Sequence, residues 1–492
     1  MKQFYLTTTL PYVNADPHIG FALEIIQADT IVRYRRLEGD EVFFNTGTDE
    51  HGLKIYRKAL EMGKDPQAYC DEYAAKFRDL AQLLNLDHPT FIRTTDPAHK
   101  AAAQEFWLRC QGNGDIYKKN YQVKYCVGCE LEKTDSELAD GKCPIHPKLE
   151  IEYINEENYF FRWSKYQQPL LALYKKQPDF VVPAHRLTEI TAFVERGLED
   201  FSISRLKAKM PWGVEVPDDP DHVMYVWFDA LVNYISTLGW PKDVKTFKKF
   251  WPGVQVAGKD NLRQQSAMWQ AMLMSAVVPT SKQIFIHGFI TSEGQKMSKS
   301  LGNVVNPYDL VKKYGTDAVR HFLLGALPAY EDGDFSVARF EEWYTAHLAN
   351  GIGNLASRIL TMFEKYATGL VPKKAPDYFG ADAFWKRYSG RLAAYRFDEL
   401  VGEVNALVIA CDELISREKP WEKAKRGEDI EPLLYQLAEG LRQIAVALLP
   451  IIPQSAEKIL VQLGTDEKGH AWGKLKKGGT IKKGEPLFPR IG

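Results

Sequence analysis

The first part of the chain has the hydrophobic pattern of an α/β protein. Four short apolar runs lie at residues 4–8, 41–44, 255–257 and 284–286. After the first run, apolar residues recur at helical spacing over residues 23–37, which predicts a strand, a turn and a helix. Strands that alternate with helices are typical of a mainly parallel sheet. The centre of the fold is therefore predicted to be α/β.

Two later regions depart from this pattern. Residues 117–217 are rich in aromatic and charged residues and show no alternation of strands and helices, which indicates an inserted domain. From about residue 341 strand signals disappear and long amphipathic helices follow. Three apolar stripes mark these helices: Leu348, Ile352, Leu355, Ile359 and Met362; Leu400, Val404, Leu407 and Val408; and Leu437, Leu441, Ile444 and Leu448. A C-terminal α-helical bundle is predicted.

Composition and charge narrow the class of protein. The 492 residues are 45% hydrophobic and 26% charged, as in ordinary globular proteins. The formal net charge is −1, so a polyanion such as RNA must be met by local basic patches. The longest apolar segment, at residues 444–452, is too short to span a membrane and contains Pro450. With no secretory pattern at the N-terminus, we expect a cytoplasmic protein that makes no membrane contact.

Three of the six cysteines form a cluster with a histidine. Cys126 and Cys129 are separated by two residues, and Cys143 and His146 follow after thirteen more. Three thiolates and an imidazole at this spacing suit tetrahedral zinc, and four protein ligands make such a site structural. We expect one structural Zn²⁺. The scattered cysteines are expected to be buried apolar residues: Cys70, Cys110 and Cys411.

Two short motifs suit a nucleotide triphosphate. His18 and Gly20 lie where a turn opens into a helix, whose free N–H groups and positive dipole favour a phosphate. Lys296 and Lys299 lie three residues apart between two glycines, as in a mobile cationic loop. Taken alone, the first motif is more often a structural cap and the second a solvated loop. Their occurrence together favours ATP chemistry.

The two motifs resemble those of the class I aminoacyl-tRNA synthetases. Pro17-His18-Ile19-Gly20 matches the first motif except that Phe21 replaces its last histidine, and Lys296 to Ser300 matches the second completely. The resemblance implies a Rossmann-like parallel-sheet catalytic domain that binds ATP with Mg²⁺. It also implies ATP contacts at Phe21, Gly258 and Asp260, as well as at the histidine, glycine and lysines of the motifs. We expect Phe21 to slow adenylate formation without abolishing it.

Within this class the chain is most similar to the methionyl-tRNA synthetases. Segments at residues 9–12, 47–52, 203–205 and 225–230 resemble the family's pocket segments. The resemblance implies a methionine pocket lined by Leu10, Tyr12, Asp49, Arg205, Trp227, Ala230, Tyr234 and Gln265. In it Asp49 holds the substrate ammonium and Arg205 binds or organises the carboxylate end. Gln264-Gln265 replace the family's usual Phe-His, so we expect a modified pocket that still prefers methionine.

The helical region resembles the family's anticodon-binding domain. Asn354 and Arg358 lie four residues apart on one helix face, and Trp421 follows a proline. Spacing alone favours an ordinary polar pair and a tryptophan that covers the bundle. The resemblance instead implies that all three residues read the CAU anticodon of tRNA(Met) by contacts that include stacking. It also implies that the zinc knuckle shapes the approach of the tRNA acceptor end.

The chain is thus predicted to activate L-methionine with ATP and to load it onto tRNA(Met), as a monomer. The alternatives are another class I synthetase, for leucine, isoleucine, valine or cysteine, and a non-catalytic tRNA-binding relative. The predicted segments are a first catalytic half (1–116), an inserted domain (117–217) with a zinc knuckle (126–146), a second catalytic half (218–290), a lysine-loop and stem-contact region (291–345), a helical anticodon-binding domain (346–470) and a Lys/Gly-rich tail (471–492). We expect the tail to be loosely held.

Overall fold

A computed structural model describes residues 1–129, 131–297 and 303–491. The internal contacts divide the chain into two compact units, which we call the sheet unit and the helical unit. The sheet unit comprises residues 1–17, 41–82 and 88–286, and the helical unit comprises residues 18–40, 83–87 and 287–492. Among the described residues, no helix is both long enough and apolar enough to cross a membrane.

The strands are short, and most of them belong to the sheet unit. In chain order they are β1 (Gln3–Thr8), β2 (Glu41–Thr48), β3 (Thr90–Arg93), β4 (Ile116–Cys126), β5 (Leu131–Lys133), β6 (Glu152–Phe161), β7 (Val181–Val182), β8 (Phe201–Ser202), β9 (Ser204–Leu206), β10 (Glu215–Val216), β11 (Asp219–Met224), β12 (Val254–Gly258), β13 (Gln283–His287), β14 (Ile290–Ser292), β15 (Gln295–Lys296) and β16 (Gly333–Phe335).

The longest helix lies in the second half of the chain. In order they are α1 (Ile19–Leu37), α2 (Leu53–Glu61), α3 (Pro66–Leu83), α4 (Pro97–Gly112), α5 (Gln167–Lys176), α6 (Ala184–Glu195), α7 (Val226–Ala230), α8 (Asn233–Ser236), α9 (Val244–Phe250), α10 (Trp269–Ser275), α11 (Pro307–Tyr314), α12 (Thr316–Gly325), α13 (Val337–Trp343), α14 (Asn354–Tyr366), α15 (Ala381–Ala393), α16 (Phe397–Glu418), α17 (Pro420–Lys425), α18 (Glu431–Leu448) and α19 (Pro453–Gln462). Two π-helical segments, Gln264–Met268 and Tyr344–Gly353, precede α10 and α14.

A six-stranded sheet in the order β3-β2-β1-β12-β13-β7 forms the centre of the sheet unit. The pairs β3/β2, β2/β1, β1/β12 and β13/β7 are parallel. Each of the four predicted strands lies within one of these strands, which confirms the α/β centre. β1 is buried from Phe4 onward, as expected of a strand that is covered on both faces of a parallel sheet.

The segment predicted as inserted contributes strands to three sheets, one of which is the three-stranded sheet β10-β11-β9. β4 and β6 pair in antiparallel fashion over ten residue pairs, and they form a four-stranded sheet in the order β5-β4-β6-β8. β7 comes from the same segment but pairs in parallel with β13 at the edge of the central sheet. Two residues are too few to give a strand signal in the sequence, so this return to the central sheet was not predicted.

Aromatic packing fills the core of the sheet unit. Phe106 of α4 stacks on Trp269 of α10, and Phe228 of α7 packs edge to face against both Phe106 and Trp107. The scattered cysteines are buried as predicted: Cys70, Cys110 and Cys411. The first two belong to the sheet unit and the third to the helical unit. This rigid core supports α7 and α10, which carry or adjoin candidate pocket residues.

The helical unit includes α1, which the sequence placed in the first catalytic half. Asp29 of α1 forms a buried ion pair with Arg320 of α12, at 2.7 Å. The same guanidinium donates to the carbonyl oxygens of Ile451 and Pro450. Removing one partner of such a pair typically costs about 3–5 kcal/mol, because the other charge stays buried. This contact therefore fixes α1 within the helical unit.

The expectation of a loosely held tail is wrong. The Leu475 N–H donates to the buried carboxylate of Glu439 at 3.1 Å. Further along, the Ile481 N–H donates to the carbonyl oxygen of Gly369 at 2.7 Å. The tail is held by single backbone hydrogen bonds and by the isolated buried side chains of Leu475, Ile481 and Phe488, which are too widely spaced to form a periodic pattern.

Candidate active site

The carboxyl ends of β1 and β2 bring two predicted pocket residues together. Tyr12 and Asp49 form a parallel bridge just beyond these strands. The Asp49 N–H donates to the carbonyl oxygen of Pro11 at 3.0 Å, and the Val13 N–H donates to that of Asp49 at 3.3 Å. Leu10 lies directly before this bridge and is half-buried. Ligands bind at the carboxyl ends of strands in open parallel sheets, so this position suits a pocket.

A short helix places Trp227 against Tyr12. The indole and phenol rings pack edge to face, with centroids 6.2 Å apart. Both rings pack on the buried residues Tyr225 and Val226. Ala230 lies one turn after Trp227 on α7 and is buried. Aromatic walls of this kind suit an uncharged, polarisable side chain such as a thioether.

Arg205 is buried beside the same aromatic cluster. Its Nη1 donates to the Ser202 hydroxyl and to the Ser204 carbonyl oxygen, both at 2.8 Å. The guanidinium also lies over the Tyr225 ring at 4.6 Å and over the Tyr125 ring at 5.1 Å. These contacts hold the cation in one orientation. They favour an organising role over that of a mobile ligand clamp.

Tyr234 and Gln265 contact each other in the core of the sheet unit. The Gln265 Nε2 donates to the Tyr234 hydroxyl at 2.5 Å, and both residues are at most 2% exposed. The Tyr5 hydroxyl donates to the Tyr234 carbonyl oxygen at 2.8 Å. Gln265 lies in the first π-helical segment, a geometry that often occurs at functional sites. The Gln265 side-chain amide, which does not titrate, thus holds the Tyr234 phenol in position.

The neighbouring acids Asp49 and Glu50 have different surroundings. Glu50 is fully buried and accepts two hydrogen bonds from Arg93, at 2.7 and 2.9 Å. Asp49 is 2% exposed and accepts from the Thr94 hydroxyl at 3.5 Å. The charge of Glu50 is therefore compensated within the protein. Arg93 was not predicted, although it ends β3 at the same edge of the sheet.

A buried cluster links the segment of Asp49 to the helix of Trp227. Asp229 lies on α7, and its two carboxylate oxygens contact the His51 Nδ1 at 2.9 Å and the His99 Nε2 at 3.1 Å. The remaining nitrogen of His99 contacts the Ser236 hydroxyl at 2.9 Å. Burial alone raises the pKa of Asp229, but the two imidazoles outweigh it and hold this pKa below its ordinary value.

None of the four members of this cluster was predicted. The sequence does contain one signal, since Asp229 interrupts an otherwise apolar run from residue 223 to residue 232. A carboxylate at such a position must find buried partners. The cluster ties His51, two residues after Asp49, to the helix that carries Trp227 and Ala230.

The predicted phosphate turn begins α1 in the helical unit. The His18 Nδ1 accepts the Gly20 N–H at 3.1 Å, which caps the helix. The proton of the neutral imidazole is therefore on Nε2, which remains available as a donor. A Cβ at Gly20 would lie 3.0 Å from the imidazole ring. Phe21 follows in the first turn and is half-buried.

The other candidate ATP-binding residues are Gly258, Asp260, Lys296 and Lys299. Gly258 ends β12, and Asp260 follows on a short 3-10 helix, where it is exposed. The Asp260 Oδ1 accepts from the Asn261 side-chain amide at 3.2 Å. The backbone of Lys296 forms part of β15, but its side chain and the whole of Lys299 lie outside the described residues. Their predicted roles stay predictions.

The four predicted metal ligands come together. The ligand atoms of Cys126, Cys129, Cys143 and His146 all lie within 4.8 Å of one another. The Cys129 Sγ is 3.5 Å from the Cys143 Sγ, and the His146 Nδ1 is 3.2 Å from the Cys129 Sγ and 3.8 Å from the Cys126 Sγ. A tetrahedral zinc site with bonds of about 2.0–2.3 Å separates its ligand atoms by roughly 3.6–3.8 Å.

A glycine allows this cluster to close. A Cβ at Gly128 would lie 2.5 Å from the His146 ring. The backbone between Cys126 and Cys129 therefore approaches the imidazole more closely than any side chain permits. The Gly128 carbonyl oxygen accepts from the Lys54 ammonium at 3.2 Å. The donor set and its spacing fit zinc.

The three anticodon candidates lie in the helical unit. Asn354 begins α14 and is exposed, and Arg358 follows one turn later. Arg358 forms an ion pair with Asp412 of α16. Trp421 is the second residue of α17, directly after Pro420, and is 37% exposed. Burial raises the pKa of Asp412, against the opposing effect of Arg358.

The parallel sheet, the pocket at its strand ends and the capped turn at His18 define a class I tRNA synthetase. A sequence profile of the family described as "tRNA synthetases class I (M)" matches residues 4–152 and 133–360. These matches span more than half of the chain.

Known relatives identify the member of this class. The chain is 44% identical to the methionine–tRNA ligase of Thermosynechococcus vestitus, over 99% of this chain and 97% of that one. It is 41% identical to the methionine–tRNA ligase of Thermotoga maritima, over 99% of this chain and 80% of that one. The structure of Mycobacterium tuberculosis methionyl-tRNA synthetase with methionyl-adenylate superposes with a TM-score of 0.94 at 37% identity, and all of both chains is covered. The chain belongs to the methionyl-tRNA synthetase family.

Proposed function

We propose that the chain activates L-methionine with ATP to form methionyl-adenylate and then transfers methionine to tRNA(Met). Family membership supports this activity. The observation that carries it is the pocket at the strand ends, where Tyr12 and Trp227 form an aromatic wall beside Asp49. A long apolar side chain and an ammonium group can be bound there side by side.

Different pocket residues contact different parts of the amino acid. The Asp49 carboxylate holds the ammonium group. Leu10, Tyr12, Trp227, Ala230, Tyr234 and Gln265 line the side-chain pocket. Arg205, fixed by its two hydrogen bonds, provides positive charge near the carboxylate end. The Gln265 amide orients Tyr234 through a hydrogen bond that involves no titratable ring.

The ATP contacts in this proposal are those that the family resemblance implies. Gly258 lets the nucleotide approach β12, and Asp260 holds the ribose hydroxyls. The His18 Nε2–H donates to the phosphate as charge builds on it, and Gly20 and Phe21 border the same turn. Lys296 and Lys299 stabilise the departing pyrophosphate, with Mg²⁺ bound to ATP. Because Phe21 cannot donate a hydrogen bond, we expect Phe21→His to increase the rate of adenylate formation.

The chemistry has two steps and needs no covalent enzyme intermediate. A methionine carboxylate oxygen attacks the α-phosphorus of ATP, and the bond to the bridging oxygen of pyrophosphate breaks. A terminal ribose hydroxyl of tRNA then attacks the carbonyl carbon of the adenylate, loses its proton, and AMP leaves. The protein contributes mainly by holding the reactants in position and by stabilising charge.

Cys126, Cys129, Cys143 and His146 hold one structural zinc in this proposal. All four positions are occupied by protein ligands, so the metal cross-links the knuckle and takes no part in the reaction. The knuckle shapes the approach of the acceptor end of tRNA. We expect about one zinc per purified chain by metal analysis, and loss of this metal in Cys143→Ser.

The helical unit reads the tRNA in this proposal. Asn354 and Arg358 contact the CAU anticodon, and the exposed indole of Trp421 stacks on an unpaired base. The ion pair between Arg358 and Asp412 directs the guanidinium along the helix face. The protein works as a cytoplasmic monomer, in which the reduced thiols of the knuckle remain free to bind metal.

Pyrophosphate exchange across the amino acids tests this function. We expect methionine to exceed leucine, isoleucine, valine and cysteine by at least about 100-fold in kcat/KM. Asp49→Asn should remove most of this activity because the ammonium loses its counter-charge. Asp221→Asn is a control, since Asp221 is an exposed acid of the same unit. Stronger exchange with any other amino acid would overturn the assignment.

A further inference from the structure

One continuous helix of the helical unit changes its winding twice. It runs as an α-helix through α13, as a π-helix over Tyr344–Gly353 and again as an α-helix through α14. The backbone remains helical at both junctions, with φ and ψ of −60° and −46° at Trp343 and of −64° and −45° at Gly353. π-helices are rare and mostly last a single turn. A segment of ten residues therefore needs a physical reason.

The spacing of the buried residues supplies that reason. Phe340, Tyr344, Leu348 and Ile352 recur every four residues and are at most 4% exposed. An α-helix has 3.6 residues per turn, so a stripe with this spacing would drift by about 40° at each step. The wider π-helix keeps such a stripe aligned. From Leu355 onward the buried positions return to the spacing of an α-helix.

Two glycines permit this winding. A Cβ at Gly351 would lie 3.2 Å from the Ala346 carbonyl oxygen, and one at Gly353 would lie 3.0 Å from that of Leu348. Each oxygen belongs to the residue five positions earlier, which is the hydrogen-bond partner in a π-helix. A side chain at either position would crowd these bonds and favour the α-helical alternative.

Separate contacts anchor the two ends of the segment. Before it, the Trp343 Nε1–H donates to the His321 Nδ1 at 2.9 Å. At its start, the Tyr344 hydroxyl donates to the Pro489 carbonyl oxygen at 2.8 Å. After it, Arg358 of α14 pairs with Asp412 of α16. The rotation of α14 relative to α13 is therefore set by the winding between them.

We propose that Gly351 and Gly353 are positioning residues for tRNA, because the π-helix that they permit sets the rotation at which α14 presents Asn354 and Arg358. This inference rests on the proposed anticodon role of α14. Replacing one π-type turn by an α-type turn shifts the register by one residue, or about 100° of rotation. Such a shift keeps Asn354 and Arg358 on one face of α14 but turns that face in a different direction.

The test compares glycine variants within one unit. Gly351→Ala and Gly353→Ala are expected to raise the KM for tRNA about tenfold, with kcat and methionine-dependent pyrophosphate exchange unchanged. Gly402→Ala in α16 is the matched control, because a Cβ there meets no atom within 4 Å. The control is expected to keep the wild-type KM. The proposal is overturned if the two variants match the control, or if exchange falls in parallel with charging.

A second measurement separates positioning from a general loss of structure. Asp412→Ala is expected to raise the KM for tRNA in the wild-type background and to have no further effect in Gly353→Ala, since Arg358 is then already displaced. Additive effects would contradict the proposal. Asn354→Ala tests the underlying anticodon role independently. If it charges tRNA normally, that role fails, whereas impaired charging by Asn354→Ala with normal charging by Gly353→Ala refutes only the positioning proposal.

Discussion

The candidate methionine pocket and two of the anticodon candidates, Asn354 and Trp421, lie in opposite environments. In the pocket, Asp49, Tyr234 and Gln265 are at most 2% exposed and bonded to other buried groups. On the helical unit, Asn354 is exposed and Trp421 is 37% exposed. A buried network resists change because each group satisfies another. An exposed side chain can be removed with little effect on its neighbours. Variants of the buried network should therefore lose stability and activity together, whereas variants of the exposed residues should lose tRNA charging alone.

The largest effect is expected for Asp229→Ala. The change leaves His51 and His99 in a buried cavity without the carboxylate that they share, so the free energy of unfolding should fall by about 3–5 kcal/mol. Because α7 carries Trp227, methionine-dependent exchange should fall by more than about 100-fold in kcat/KM. Urea denaturation and pyrophosphate exchange measure the two losses.

The pH dependence provides the control for this variant. The pKa of Asp229 is lowered in the folded protein, so its stabilising effect is present above its unfolded value of about 3.9 and is lost as the pH falls further. The stability difference between the wild type and Asp229→Ala should therefore narrow below about pH 4. An undiminished difference at pH 2.5 would show that the charge of the Asp229 carboxylate is not what stabilises the cluster.

A smaller and more selective effect is expected for Trp421→Ala. Stacking of an aromatic side chain on a base is worth about 1–3 kcal/mol, so kcat/KM for tRNA charging should fall by roughly 5- to 150-fold. Exchange and thermal stability should stay at wild-type values because the indole is exposed. Charging and exchange assays on the same preparation measure this separation.

The matched control for Trp421 is another exposed aromatic residue of the helical unit. Tyr366 ends α14 and is 37% exposed, as Trp421 is. It lies twelve residues after Asn354, about 18 Å along the helix. Tyr366→Ala should charge tRNA normally. An equal loss in both variants would refute a specific role for the indole.

The sequence predicted those features that depend on local pattern or spacing. The apolar runs gave the central strands, and the short Cys/His spacings gave a cluster whose four ligand atoms do meet. Tyr12 and Asp49 were assigned to one pocket only by resemblance, yet the parallel pairing of β1 and β2 brings them together. The fold class and the family were thus available before the structure.

Features that depend on partners far apart in the chain could not be predicted from the sequence. His51, His99 and Asp229 are far apart in the chain, and no spacing rule joins them. The stripe from Leu348 to Met362 was interpreted as an amphipathic α-helix throughout, although its first residues, Leu348 and Ile352, lie in the π-helical segment, because a π-helix is too rare to expect. The tail was judged by its composition, although its stability depends on backbone bonds to buried groups such as Glu439.

The smallest effect at neutral pH is expected for His321→Gln, but in mild acid this variant should differ from the wild type in stability. Burial, aided by His347, lowers the pKa of His321 to about 3. The neutral ring is therefore favoured in the folded state, and stability is fully present above its unfolded pKa of about 6.5 and is lost as the pH falls below it. Between pH 6.5 and pH 5 this loss amounts to about 2 kcal/mol at 1.36 kcal/mol per pH unit.

Glutamine can still accept the Trp343 hydrogen bond but does not titrate. Between pH 6.5 and pH 5, the free energy of unfolding of His321→Gln should therefore fall by about 2 kcal/mol less than that of the wild type. Urea denaturation at the two pH values measures this difference. The pKa of the Asp229 carboxyl is lowered from its ordinary value and so lies below this pH range, across which the carboxyl stays ionised. Between pH 6.5 and pH 5 the wild type should therefore lose stability at His321, which accepts the Trp343 hydrogen bond just before the π-helix. Equal losses in the wild type and His321→Gln would show that His321 is not the group that titrates.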